Sequence, residues 1–96
     1  MIEVAEVSVT LPAPLAAALG VSRELKIQAR NLRELIKALG ERCGAALTQR
    51  LLDQKGELNP IINIYINGRN VRFTGGLETH LTEGDKILIL PAVAGG

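Results

Sequence analysis

Three groups of residues in this 96-residue chain have side chains or end groups able to do chemistry. Cys43 is the first. A nucleophilic cysteine needs a base within hydrogen-bond reach, and the only histidine is His80, on a predicted loop. Cys43 also falls on the apolar stripe of a predicted helix, where a free cysteine serves as a small buried hydrophobe. The acids Glu78, Glu83 and Asp85 form the second group. A carboxylate pair could do acid–base work. Gly84 and Asp85 fit turn chemistry, however, and the sequence places no arginine or aromatic pocket beside these acids. The third group is the chain end, Pro91-Ala92-Val93-Ala94-Gly95-Gly96. Nothing in it is bulky or charged. At ordinary glycine usage of about 7%, two terminal glycines arise by chance roughly once in 200 chains. Five or six extended residues reach about 16–20 Å, enough to enter a narrow tunnel in another protein. Glycines let a partner approach the backbone closely. The group then presented is the α-carboxylate of Gly96. A carboxylate is a poor electrophile until it is coupled to AMP as a mixed anhydride, which sulfur or nitrogen nucleophiles attack.

Composition removes most other chemistry. Eleven Lys and Arg against ten Asp and Glu give a net charge of +1, too balanced for an evident nucleic-acid or anionic-membrane surface. One cysteine excludes an internal disulfide framework and a multi-cysteine zinc site. Gly75-Gly76 lacks the lysine and the strand–helix setting of a phosphate loop. The length fits one small domain. Aromatic residues are 2% of the chain, so the core is expected to be aliphatic. The first residues carry two acids and no basic stretch, unlike a secretory signal. The longest apolar run, Ile87 to Ala94, is far short of the roughly 20 residues of a membrane span. The expected location is cytoplasmic.

The chain end needs a rigid body behind it, and the patterning describes one. Residues 3–11 alternate, with Ala5, Val7, Val9 and Leu11 on one face. Residues 15–19 suit one helical turn closed by Gly20. Residues 23–29 alternate again. Asn31 followed by Glu34 has the spacing of a helix N-terminal capping box. Leu32, Leu35, Ile36, Leu39 and Cys43 then fall on one helical stripe, with Gly44, or earlier Gly40, as the stop. A second short helix is expected over residues 45–52. Residues 61–67 form the strongest strand signal, and Asn67-Gly68 is a hairpin turn signature. Residues 71–73 are expected as the short return strand, and residues 86–90 as the last strand. A hairpin, one main helix and further strands predict an α+β fold: a mixed sheet of four to five strands with the helix packed on one face. Strand alternation turns Leu88, Leu90 and Tyr65 away from the helix. With Pro91 they are expected to form an exposed apolar, partner-binding patch beside the tail.

This order of elements and this tail resemble the ubiquitin-like β-grasp sulfur carriers, the MoaD/ThiS family. The resemblance is densest from Asn63 to Gly96. The diglycine and the Gly84-Asp85 pair are shared widely in that superfamily. The stretch Arg72-Phe73-Thr74-Gly75-Gly76-Leu77 is more typical of the branch holding the MoaD and CysO carriers. The resemblance implies a β-grasp domain over residues 1–91 and a flexible tail over 92–96, with no cofactor bound. It implies that an E1-like enzyme of MoeB or ThiF type uses ATP to adenylate Gly96. A sulfur donor then makes a thiocarboxylate, and Val93, Ala94 and Gly95 accompany Gly96 into an acceptor. That acceptor is a molybdopterin synthase large subunit or a cysteine synthase, for molybdopterin or cysteine biosynthesis. The carrier itself is expected to catalyse nothing and to bind neither nucleic acid nor membrane. Two alternatives use the same residues: a protein modifier joined through Gly96 to lysines, and a non-covalent binding module with an inert tail.

Overall fold

A computed structural model describes residues 4–91. Five strands form one mixed sheet in the order β2-β1-β5-β3-β4. They are β1 (Ala5–Thr10), β2 (Glu24–Ala29), β3 (Ile62–Ile66), β4 (Arg69–Asn70) and β5 (Lys86–Pro91). The helices are α1 (Ala13–Leu19), α2 (Leu32–Cys43) and α3 (Ala45–Leu51). β1 runs antiparallel to β2 and parallel to β5, and β3 runs antiparallel to both β4 and β5. This is the β-grasp arrangement that the resemblance implied.

The core follows from the alternation. Val7 and Val9 of β1, Ile27 of β2, Ile62 and Ile64 of β3, and Ile87 and Ile89 of β5 are buried on one face. The stripe of α2, Leu32, Leu35, Ile36 and Leu39, is buried against it. Cys43, at the end of that stripe, is only half-buried. Among the described residues no polar or charged residue is buried, so the interior is purely apolar. Such a core contributes stability in proportion to apolar area, at roughly 25 cal/mol per Å².

α2 starts at Asn31, whose Oδ1 accepts the Glu34 N–H at 2.9 Å. The second half of the expected box is displaced by one residue. The Glu34 carboxylate reaches back to the backbone N–H of Arg30, and the Arg30 guanidinium donates to the same carboxylate. α2 runs on to Gly44 and does not stop at Gly40. Gly40 has another use: a Cβ there would meet Oγ1 of Thr48, so its absence lets α3 lie close against α2.

The hairpin turn forms where expected, with Asn67 at φ 52° and Gly68 at φ 85°. The return strand does not form at residues 71–73. β4 is only Arg69–Asn70, and Val71–Phe73 coil into a 3-10 turn. Asn70 causes the change: its side chain accepts the Arg72 N–H at 2.9 Å and bends the chain out of the ladder. Val71 is buried by this turn, which satisfies its apolar side chain without a strand. None of the described helices is long and apolar enough to cross a membrane.

The Arg30 side-chain hydrogen bond, then the bond from its backbone N–H, holds the Glu34 carboxyl below the usual carboxylate range. A lowered folded value contributes stability above the ordinary carboxylate range that is lost as pH falls through the lowered value. Glu34→Gln is therefore expected to melt below the parent protein at about pH 7. The gap should close in acid, as pH falls through the lowered Glu34 value, as read by thermal unfolding across pH.

Candidate functional site

β5 carries the candidate site because its partners fix which way each residue faces. Leu88 lies opposite Tyr65 on β3 and opposite Thr10 on β1. Leu90 is two residues on, opposite Asn63, on the same outer face. Tyr65, Leu88 and Leu90 are thus brought together, as the alternation predicted. They line a shallow depression of about 510 Å³ together with Thr10, Asn67 and Gly68. The outward residues of β1, β2, β3 and β5 are all half-buried or exposed, so no helix covers this face. Each of the three apolar residues is half-buried, not fully exposed as expected. The cause is geometric. Directly opposed side chains on paired strands lie about 5 Å apart and shade one another from water.

Pro91 does not join this patch. It lies opposite Ile62 at the end of β5, exposed, and lines a different groove of about 500 Å³ with Pro12, Leu15, Ala18 and Ile61. Alternation along β5 places it with Ile87 and Ile89, on the opposite side from Leu88 and Leu90. The tail residues Val93, Ala94, Gly95 and Gly96 lie outside the described residues.

The polar candidates prove structural. Burial pushes the Cys43 thiol up, away from the reactive thiolate, and the side chain packs against the core. His80 sits on a single backbone bridge to Asn31, flanked by Leu32 N–H donating to Thr79 O and Leu81 N–H donating to Arg30 O. This loop thereby pins the start of α2. Glu78 does have an arginine partner, contrary to expectation: Arg33, 45 positions earlier, donates to it at 2.6 Å. Glu83 accepts the Glu6 N–H at 2.9 Å. Asp85 accepts Asn67 Nδ2 and Thr82 N–H, each at 2.8 Å. Among the described residues no group of three His, Cys, Asp or Glu is placed to hold a metal ion.

Arg72 stood out in the sequence only as the first residue of the stretch Arg72 to Leu77, with no role assigned to its side chain. Its guanidinium donates to Ile62 O at 2.9 Å, Asn59 O at 3.0 Å and Asn63 Oδ1 at 3.0 Å. It clamps the loop before β3 to the strand end that pairs with Pro91. Its place two residues after Asn70, in a stretch rich in turn formers, was the available signal.

A mixed five-stranded sheet grasping one main helix, with the last strand central, defines a ubiquitin-like β-grasp protein. Within that class, the chain belongs to the ThiS family, which it matches over residues 9–96. It is 38% identical over 92 residues to the sulfur carrier protein CysO of Mycobacterium tuberculosis, covering 94% of this chain and 98% of that one. Its fold is similar to that in the crystal structure of the Amycolatopsis orientalis BexX/CysO complex, with TM-score 0.83, 37% identity, and 94% and 99% of the two chains covered. It is also similar to the small archaeal modifier protein 1 of Methanosarcina acetivorans, with TM-score 0.81, 39% identity, and 99% and 100% covered.

Removing the Arg72 clamp tests its role at the tail end of the sheet. Hydrogen bonds from a charged donor are worth about 1.5–3 kcal/mol when buried and less at an exposed site. Arg72→Ala is expected to cost about 1–2 kcal/mol in denaturant unfolding, with faster amide exchange at residues 59–62 than elsewhere.

Proposed function

We propose that this protein is a non-catalytic sulfur carrier whose working group is the α-carboxylate of Gly96. The observation that carries this reading is the match to the ThiS family, which runs through Gly96, together with relatives named as sulfur carriers over nearly the full length of both chains. The purely apolar interior, the raised thiol of Cys43 and the structural roles of Glu78, Glu83 and Asp85 support a chain whose chemistry resides at its end.

In this reading an E1-like enzyme of the MoeB or ThiF type binds the carrier and ATP. A Gly96 carboxylate oxygen attacks the α-phosphorus, and pyrophosphate leaves. Hydrosulfide, or sulfur delivered at the same oxidation level, adds to the carbonyl carbon and AMP leaves with the C–O bonding pair. The product is a thiocarboxylate, whose sulfur attacks the substrate of an acceptor enzyme. That acceptor is a cysteine synthase or a molybdopterin synthase large subunit, with the former favoured by the similarity to CysO. The carrier binds no cofactor of its own, since ATP belongs to the activating enzyme, and it works in the cytoplasm. Val93, Ala94 and Gly95 form the slender lead to the reactive end. Tyr65, Leu88 and Leu90 dock on the activating enzyme and on the acceptor, because they are the apolar part of a sheet face that none of the described helices covers.

A second reading has an observation of its own. The similarity to a small archaeal modifier protein supports attachment of Gly96 to lysine amines through the same activated end.

Intact-mass measurement separates the readings. Incubation with ATP, sulfide and the cognate activating enzyme should add the mass difference between sulfur and oxygen, and deletion of Gly96 should abolish the gain. No gain with an enzyme active on another carrier would overturn the carrier reading. Gly-Gly remnants on partner lysines would move the protein to the modifier class. Leu88→Asp should remain folded, because Leu88 is half-buried and faces outward. It should slow adenylation by about tenfold or more, as expected for a charge placed in an interface core.

A further inference from the structure

Among the described residues three large apolar side chains stand exposed: Val4 at 52%, Ile61 at 58% and Phe73 at 85%. Two of them belong to the end of the sheet where β5 finishes. Ile61 immediately precedes Ile62, the residue paired with Pro91, and it shares a groove with Pro91. Phe73 is bonded into the same end through its neighbour, since Arg72 donates to Ile62 O and Asn59 O. α1 adds Pro12 and Leu15 to the other side of that groove.

Phe73 is held firmly yet contributes little to the core. Asn70 Oδ1 accepts the Arg72 N–H on one side of it. On the other, both N–H and Oγ1 of Thr74 donate to Val71 O, at 3.0 and 3.2 Å. With the backbone pinned, less ordering is left to be done when a partner covers this aromatic side chain. Aromatic side chains are enriched where partners bury surface.

The carrier reading points to the occupant. In that reading the working group is the Gly96 carboxylate, five residues after Pro91. Fully extended, residues 92–96 reach about 17 Å. An active site working on Gly96 therefore lies within that distance of Pro91, and the enzyme around it must press on this end of the domain. Such a site also has a chemical reason to close there, because water destroys an acyl adenylate and a closed mouth excludes it.

We infer that Ile61 and Phe73 form an apolar collar that seats against the mouth of the activating enzyme, as an anchor separate from Tyr65, Leu88 and Leu90. The inference rests on the carrier reading. Its test is ATP–pyrophosphate exchange by the cognate activating enzyme, with Ile61→Ala, Phe73→Ala and the double variant as carriers. The double variant should raise the KM for the carrier about tenfold while kcat changes less than about twofold, the mark of lost docking and not lost chemistry. Its unfolding midpoint should match that of the parent, because both side chains are exposed. An unchanged KM in the folded double variant overturns the collar and leaves the carrier reading intact. A change in oligomeric state would assign the two residues to contacts between copies of this chain and also overturn the collar. Failure of the parent protein itself to support exchange, with an enzyme active on another carrier, removes the carrier reading and the collar with it.

Discussion

The structure depends on the insertion of its last strand into the middle of its sheet. β5 lies between β1 and β3, parallel to one and antiparallel to the other. Without it the sheet separates into the β1–β2 hairpin and the β3–β4 hairpin, neither stable alone in water. Ile87 and Ile89, fully buried, tie both halves to α2. The pairing of β1 with β5 joins residues almost 80 positions apart, so its loop-closure cost falls late in folding. Pro91, the root of the tail, therefore belongs to the strand that completes the fold. A chain that has not closed its sheet does not hold this root in place.

The two ends of the sheet are built differently. At the start of β5, polar side chains lock two turns together. Asn67 Oδ1 accepts the Lys86 N–H, Asn67 Nδ2 donates to Asp85, and Asp85 accepts the Thr82 N–H. The Ser8 N–H donates to the Asp85 carbonyl, which brings β1 into the same set. These bonds tie the polar groups of the two turns to one another. At the finish of β5 the groove sets Pro12, Leu15, Ile61 and Pro91 beside Gln49, Arg50 and Asn59. Arg72, near the same end, is committed to backbone carbonyls. One end is tied by hydrogen bonds within the chain, and the other presents apolar side chains that the described residues leave open.

The parts of this design readable from the sequence were those governed by local period. The alternation of Val7, Val9, Ile64, Ile87 and Ile89, the stripe of α2, the Asn31 cap and the Asn67-Gly68 turn each depend on residues within one element. What the sequence did not disclose depends on pairings between elements, or on a side chain overruling propensity. Val71 and Phe73 are good strand formers, yet the Asn70 side chain competes for the next backbone N–H and turns the chain. Arg33 and Glu78 meet only because a second 3-10 turn, Gly76–Glu78, follows β4 and lies against α2. Pro91 was grouped with Leu88 and Leu90 by proximity in sequence, although the period of two assigns it to the other face. The outer patch was legible in its membership and not in its exposure, because shading comes from neighbours on β1 and β3 that sequence spacing does not order.

The absence of ionisable groups from the described interior bears on function as much as on stability. A domain that stored charge inside would alter with pH and with each partner's field. Here the charge pairs, Arg30 with Glu34 and Arg33 with Glu78, lie at the surface. Exposed pairs of this kind are individually weak. The body is consequently an electrostatically quiet platform whose rigidity comes from aliphatic packing and a central strand. In the proposed carrier role, a carboxylate borne on such a platform passes between enzymes without the platform competing for its chemistry. Recognition in that role falls to the surfaces around it: the face of Tyr65, Leu88 and Leu90, and the end where β5 stops.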